Sequence, residues 1–148
     1  MEVIDKFVKL KVLSPGKELT NDINDNSIVM KLEYLSFYCL FTGDISKSIE
    51  QKLIKEYGSY LKSEVLKVAH HGSGTSSDES FVKMVNPKIS LIGVGKNNKF
   101  GHPNDEVIDT LNSINSKIYR TDLNGEININ VNKKGNIKVS KFINKTKN

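Results

Sequence analysis

The sequence is poor in cysteine and has no long apolar run, and each shortage excludes a class of protein. Its single cysteine, Cys39, makes an internal disulfide impossible. The apolar run around it, residues 37–41, favours a small buried side chain over a reactive thiol. No stretch approaches the roughly 20 apolar residues that cross a bilayer, so we expect no membrane segment in this chain. Residues 1–5 lack the basic start and the apolar middle of a signal peptide.

Hydrophobic and charged residues are present in the proportions of a globular protein. The 148 residues are 37% hydrophobic and 26% charged, which predicts a single domain over residues 1–148. The net charge of +5 permits an anionic partner such as nucleic acid. The lysines are scattered, however, and the densest group, residues 138–147, could be only a solvated tail. We expect residues 141–148 to be flexible.

Hydrophobic periodicity predicts strands that alternate with helices along most of the chain. Period-two alternation, or short apolar runs bounded by turn residues, predicts strands over residues 7–13, 27–32, 37–42, 65–69, 89–94, 118–119, 125–131 and 137–139. Helical spacing of apolar residues predicts helices after Ser46, after Ser77 or Asp78, and after Asn104. Strands that alternate with helices in this way indicate the α/β fold class.

Two of the three histidines, His70 and His71, stand together where the buried strand 65–69 ends. A buried strand holds the side chains at its end rigidly, and catalytic or metal-binding residues commonly lie there. Asp44 follows another apolar strand in the same manner, and His102 lies in a turn farther along. Imidazole and carboxylate groups at separate strand ends are ligands that suit zinc, manganese or iron(II).

Each of these residues also has a structural alternative. Asp44 could be only a turn acid or a helix cap beside Ser46. Consecutive strand residues point to opposite faces, so at most one of His70 and His71 faces a given metal, and the pattern leaves both choices open. We favour His70 as the ligand, and His71 as a catalytic group that orients the ligand or transfers a proton. His102 precedes a helix N-terminus, which favours anions, so it is a catalytic phosphate contact or proton donor, or else a turn residue.

Four further polar residues are candidates for substrate binding: Asn26, Ser73, Lys96 and Asn97. Ser73 lies in the small-residue loop 72–77, which we expect to be flexible and open to a substrate. Asn26 either lines the same substrate cleft as the histidines or forms hydrogen bonds with the backbone of its own loop. Lys96 and Asn97 contact a phosphate backbone or are merely solvated.

The order of these pieces resembles the metallo-β-lactamase-fold hydrolases, and more closely the hydrolase domain of the ComEC/Rec2 family of DNA-internalisation competence proteins. Five pieces carry the resemblance, over about residues 10–139: Asn24-Asp25-Asn26-Ser27, Thr42-Gly43-Asp44, His70-His71-Gly72-Ser73, Gly101-His102-Pro103 and Tyr119-Arg120-Thr121-Asp122. The family's first metal motif, a His-x-His-x-Asp-His cluster or an Asp-rich variant of it, is absent, and no histidine precedes His70. The resemblance is therefore to the C-terminal half of the domain.

That resemblance implies a fold, a chemistry and a cofactor. The fold is an αββα sandwich, to which the C-terminal half contributes a mixed sheet with helices on one face. The chemistry is metal-assisted hydrolysis, with DNA phosphodiester bonds as the substrate during competence DNA uptake and Asp44 as the acid that bridges two metal ions. The cofactor is zinc or manganese in the complete domain. This chain supplies only about two ligands, so we expect it to hold a metal weakly or not at all.

Two alternatives stay open, and with them the question of whether the chain is an enzyme. The same fold hydrolyses other esters and amides, such as β-lactams, lactones and thioesters. A half-fold without the first metal motif could instead be catalytically inactive and serve as a binding or structural module.

Partners and location are also implied by the resemblance. DNA is the expected partner of the parent protein. The inner sheet face, carrying Ile28, Met30 and Leu32 or their alternates, would lack its cover. We therefore expect the N-terminal half of the fold, or a second copy in a homodimer, to pack on it. The chain is expected to be a soluble domain of a bacterial membrane-anchored protein, on the outer face, with the cytoplasm as the alternative.

Overall fold

The computed structural model describes residues 2–4 and 7–143. Seven strands form one mixed sheet in sequence order, and two more form a separate hairpin. The strands are β1 (Glu2–Ile4), β2 (Val8–Ser14), β3 (Val29–Tyr34), β4 (Phe37–Phe41), β5 (Val65–Lys67), β6 (Ile89–Ile92), β7 (Lys117–Arg120), β8 (Ile127–Val131) and β9 (Ile137–Lys141). The α-helices of the described residues are α1 (Lys47–Tyr57), α2 (Glu79–Val85), α3 (Asp105–Ser113) and α4 (Thr121–Asn124).

The sheet changes character at β4. Strands β1 to β4 pair antiparallel, whereas β4 to β7 pair parallel. The connections between the parallel strands carry α1, α2 and α3, because a parallel pair needs a crossover that a tight turn cannot supply. This arrangement confirms the prediction of a mixed α/β sheet. It also brings the carboxyl ends of β4, β5 and β6 to one edge of the sheet.

Each face of the sheet carries its own apolar cluster. On one face, α1, α2 and α3 pack against the sheet through apolar residues that include Leu53, Phe81 and Leu111, together with Leu40 and Leu66 of the strands. On the opposite face, the β8–β9 hairpin packs over Phe37, Cys39, Val65, Ile89 and Tyr119. The predicted buried position of Cys39 is confirmed, and burial raises the pKa of its thiol to about 12.

The predicted helices agree well with the observed ones. Ser46 precedes α1 and Gly58 follows it. Asp78 caps α2, since its carboxylate accepts the backbone N–H of Ser80. Asn104 precedes α3 but makes no side-chain bond to it. Apolar spacing and end residues therefore locate these helices closely.

The end of β5 differs from the prediction. The strand stops at Lys67 instead of residue 69, and His70 and His71 adopt left-handed backbone angles with φ of 47° and 56°. The argument from strand alternation therefore does not apply to this pair. Residues 72–77 are also not the flexible loop we expect, because Ser73, Ser76 and Ser77 are buried.

The C-terminal residues are only partly described. Lys141 ends β9, and the next two backbone N–H groups, of Phe142 and Ile143, donate to the carbonyls of Glu126 and Asn124. The rest of the predicted tail, residues 144–148, lies outside the described residues. Within the ranges 2–4 and 7–143, no helix has the length and apolar character needed to cross a bilayer.

Candidate functional site

The ends of two adjacent parallel strands hold the candidate site together. The Thr42 hydroxyl, just after β4, donates to the Lys67 carbonyl at 2.6 Å. The His70 N–H, just after β5, donates to the Gly43 carbonyl at 3.0 Å. These bonds hold the Asp44 loop against the histidine loop, so the sequence-predicted residues Asp44, His70 and His71 do come together.

Asp44 is positioned by its backbone, and its carboxylate stays partly exposed. Its N–H donates to Ser27 Oγ at 3.0 Å. Gly43 has a φ of +57°, and a Cβ placed there would lie 2.5 Å from the Ser27 Cβ, so only glycine fits this approach. The Asp44 side chain is 38% exposed. The residue that precedes α1 as its cap is Ser46, so Asp44 does not fill the structural role of a helix cap.

His71 faces Asp44 with a defined tautomer. Its Nδ1 lies 2.5 Å from the Gly93 carbonyl oxygen, and a carbonyl only accepts, so Nδ1 carries the proton. The other nitrogen, Nε2, then presents its lone pair and lies 3.8 Å from Asp44 Oδ2. Metal-binding histidines are commonly oriented in this way, with one ring nitrogen bonded to a carbonyl and the other free for the metal.

The Gly93 carbonyl, which orients His71, lies just after β6, and hydrogen bonds hold this end of the strand in place. The Val94 N–H donates to Thr121 Oγ1 at 2.7 Å, and that hydroxyl donates back to the Val94 carbonyl at 2.7 Å. Arg120 donates through Nε and Nη2 to the two carboxylate oxygens of Asp122, at 3.0 and 2.6 Å. The segment from Tyr119 to Asp122 thus anchors the backbone next to Gly93, whose carbonyl orients His71.

The three histidine rings form a row in which His70 lies between His71 and His102. The His70 ring centroid lies 6.4 Å from that of His71 and 5.9 Å from that of His102. The Nδ1 of His102 lies 3.2 Å from Asn104 Oδ1. The loop before His102 is closed by Asn98, whose amide bonds both the N–H and the carbonyl of His102.

The turn after the histidines is fixed to the start of α3. The Asn104 N–H donates to the Gly72 carbonyl at 2.9 Å, and the Gly74 N–H donates to Asn104 Oδ1 at 3.0 Å. Gly72 has a φ of +82°, and a Cβ there would lie 2.5 Å from the Pro103 Cβ. His102 therefore reaches the histidine row because this close contact holds its loop.

Sequence reasoning missed two charged side chains around the site. Lys67 donates from Nζ to the Val68 carbonyl at 3.0 Å, and burial lowers its pKa while the charge of Asp44 opposes that shift. Glu50 is fully buried, and its carboxylate oxygens accept the N–H groups of Ser77 and Asp78 at 2.7 and 2.8 Å. Burial raises the pKa of Glu50 to about 7, against the opposing effect of those two hydrogen bonds. Lys67 and Glu50 are each a single charged residue within an apolar pattern, so the sequence gives no signal of their roles.

The four predicted substrate-binding residues are spread over different places. The Asn26 amide bonds the backbone N–H and carbonyl of Thr20 at 2.8 and 3.0 Å, which is the structural alternative of closing its own loop. Ser73 is buried, and its Oγ lies 3.0 Å from Thr75 Oγ1. Lys96 and Asn97 are exposed in the loop that leads to the third histidine.

The described part of the chain brings together fewer side chains of metal-ligand type than a metal site ordinarily uses. In the ranges 2–4 and 7–143, no group of three or more His, Cys, Asp and Glu side chains could together hold an ion. Asp44 and His71 face each other as a pair of suitable ligand types, an oxygen and a nitrogen donor. The donors fit part of a zinc or manganese site, which ordinarily uses three or four protein ligands.

Comparisons with known proteins place this chain among longer relatives. No family model matches it. It is 36% identical over 122 residues to ComE operon protein 3 of Bacillus subtilis (strain 168), a match of 82% of this chain and 16% of the relative. It is 32% identical over 128 residues to Competence protein ComA of Neisseria gonorrhoeae, covering 86% of this chain and 18% of the relative. These matches relate the chain to a family of competence proteins.

The segment that these relatives share includes the central residues of the candidate site. A third relative, Recombination protein 2 of Haemophilus influenzae (strain ATCC 51907 / DSM 11121 / KW20 / Rd), is 31% identical over 120 residues, or 81% of this chain and 15% of that protein. A match covering 120 of 148 residues must include positions 29–120 wherever it begins. Asp44 and the three histidines lie inside that range. The chain spans less than a fifth of the length of these relatives.

Proposed function

We propose that this chain is the C-terminal half of a metallo-β-lactamase-fold domain of a competence protein, and that it contributes to metal-dependent hydrolysis of DNA phosphodiester bonds during DNA uptake. The observation that supports the proposal is the pairing of Asp44 with His71 across two adjacent parallel strand ends, 3.8 Å apart and open to solvent. The names of the relatives, a competence protein and a recombination protein, support the DNA context. In this proposal the domain lies on the outer face of the membrane, where DNA arrives.

In the complete domain, Asp44 and His71 would hold part of the metal site. A bound zinc or manganese ion supplies a nucleophilic hydroxide at neutral pH and offsets negative charge on the phosphate. The Gly93 carbonyl fixes the proton of His71 on Nδ1, which leaves Nε2 available as a ligand. The sequence favours His70 for this role, whereas the geometry favours His71, because only His71 faces Asp44 directly.

His102 can move a proton at the other end of the histidine row. The Asn104 side-chain oxygen is an acceptor and lies 3.2 Å from the His102 Nδ1, so that nitrogen carries the proton. The Nε2 of His102 is then free to take up a proton and to donate it to a leaving alkoxide or a phosphate oxygen. This is the role predicted for it beside a helix N-terminus.

The proposal is tested by split complementation. The chain is assayed with zinc or manganese on a 5′-labelled oligonucleotide, alone and mixed with the segment that precedes the match in the Bacillus relative. We expect metal-dependent hydrolysis in the mixture and little in the chain alone. Asp44→Ala should reduce it by more than the roughly 10- to 100-fold cost of losing a group that only orients a ligand. Asp109→Ala, an exposed acid on α3, is the matched control and should leave hydrolysis unchanged.

Two outcomes separate the possible roles. Full hydrolysis by the Asp44→Ala mixture would contradict the proposal, and absence of any metal-dependent hydrolysis would favour an inactive binding module. A larger loss for His71→Ala than for His70→Ala is expected from the geometry. A larger loss for His70→Ala would instead support His70 as the ligand, which is the assignment that the sequence favours.

A further inference from the structure

A strongly exposed aromatic ring lies beside the histidine row. Phe100 is 81% exposed, and its ring is stacked on the His102 ring, with centroids 5.8 Å apart and planes inclined by 19°. A phenylalanine that stays in water forgoes the stabilisation that burial of its apolar ring would contribute. One face of the ring is supported by the imidazole, and most of the residue remains open to a ligand.

The surroundings of Phe100 combine a cavity with positive charge. A cavity of about 330 Å³ is lined by residues that include Phe100, His102, His71 and Asn98, together with residues 93–95. Lys96 and Lys99 are exposed in the same loop, and neither has an ion-pair partner among the described residues. Exposed ammonium groups beside an exposed ring are the combination with which proteins bind single-stranded nucleic acid, charge for the backbone and ring for the base.

We propose that Phe100, supported by His102, is a stacking platform for an unpaired nucleobase, and that Lys96 and Lys99 contact the phosphates on either side of it. The ligand is single-stranded nucleic acid, because a base inside a duplex has no free face to offer to the ring. The choice of DNA for the tests rests on the proposed function above. The stacked base would place its phosphate near the row of histidines, so the platform would fix which bond of the strand lies in the cleft.

The test is a binding measurement in EDTA, so that no hydrolysis contributes. Three fluorescein-labelled probes are compared by anisotropy: a single-stranded oligothymidylate, an abasic strand with the same backbone, and a duplex. Phe100→Ala should weaken binding of the oligothymidylate by about 5- to 150-fold, the range of one stacked base. It should leave binding of the abasic strand unchanged. Lys96→Gln with Lys99→Gln should weaken both strands alike and reduce the slope of log K against log salt by about 0.7 per lost contact.

A direct optical signal comes from Phe100→Trp. The chain has no tryptophan, so the new indole would be its sole tryptophan fluorophore. Its emission should be quenched by the oligothymidylate and not by the abasic strand. Phe142→Ala is the matched control, because Phe142 is 82% exposed and lies outside the histidine cleft, and it should bind all three probes as the unmodified chain does.

The results distinguish this proposal from failure of the hydrolytic one. Equal losses on the base-bearing and abasic strands, or no loss with Phe100→Ala, would overturn the platform and leave a protein partner as the occupant of the ring. Base-dependent binding through Phe100 without any hydrolysis in the complementation assay would support the platform and overturn only the nuclease. Hydrolysis in the complementation assay, together with unchanged oligothymidylate binding by Phe100→Ala, would support the nuclease and overturn the platform.

Discussion

Glu50 is the residue whose environment departs most from what a carboxylate prefers. It is fully buried in α1, and its oxygens accept the N–H groups of Ser77 and Asp78. Burial raises its pKa to about 7, the negative charge of Asp78 adds to that shift, and Lys47 opposes it. The residue therefore holds the backbone just before α2 in place, at a free-energy cost that depends on pH.

The pH dependence of stability should show this cost. Because the pKa of Glu50 in the folded state lies above its ordinary value, the folded chain binds more protons than the unfolded chain between about pH 4.5 and pH 7. Stability should fall as the pH rises through that window, by up to roughly 3 kcal/mol from this residue. Urea unfolding at a series of pH values measures the slope. Glu50→Gln should flatten it, whereas Glu79→Gln, an exposed acid on α2, should keep it; identical slopes for all three proteins would exclude Glu50 as the cause.

At this scale the sequence predicts which candidate side chains lie near one another better than it predicts their orientation. Asp44, His70 and His71 were found because polar residues directly after apolar strands are conspicuous. The orientation of the histidines was not predictable from strand alternation, because both adopt positive φ beyond the end of β5. The sequence does not predict the position of Phe100, because a lone aromatic residue in a polar loop can be either buried or exposed.

At the scale of elements, the turn from Gly72 to Gly74 decides whether the third histidine joins the other two. It accepts and donates hydrogen bonds with Asn104, and Gly72 lies against Pro103. The sequence predicts the elements on both sides of this turn, including Asp78 as one of two candidate caps of α2. The anchoring itself depends on contacts between loops that are distant in the chain, so a flexible loop was expected where an ordered one is found.

Gly72→Ala should therefore destabilise the chain and displace the His102 loop. The added Cβ would lie 2.5 Å from Pro103 at a φ of +82°, and an L-residue in that conformation costs about 1–3 kcal/mol before the clash is relieved. Urea unfolding measures the loss. Gly16→Ala is the control, because its Cβ would meet nothing within 4 Å, and it should change stability by less than about 0.5 kcal/mol. Equal stability of the two variants would show that the turn is looser than the structure indicates.

For the whole molecule, the sheet face opposite the helices is the face that the sequence predicts to lack its cover. The prediction named Ile28, Met30 and Leu32, or their alternates, as an uncovered face. Leu32 indeed belongs to the apolar cluster on that side, and the β8–β9 hairpin of the same chain packs there too. A cavity of about 240 Å³ remains between sheet and hairpin, lined by residues that include Leu32, Phe41 and Leu91. The hairpin therefore supplies cover that the sequence did not lead us to expect.

We still expect this face to be covered in solution by a second copy when the proposed N-terminal half of the fold is absent. Ile28 is 62% exposed just before β3, where burial against a partner would remove apolar surface from water. A twofold pairing would place the same face of each copy in one interface. Light scattering at micromolar concentration should give the mass of a homodimer, and Ile28→Glu should shift it to a monomer, because an interface buries the new charge without a partner. Leu19→Glu, at a residue 68% exposed elsewhere on the chain, should leave the dimer intact. A monodisperse monomer of the unmodified chain would count against the pairing and would mean that the β8–β9 hairpin alone is sufficient cover.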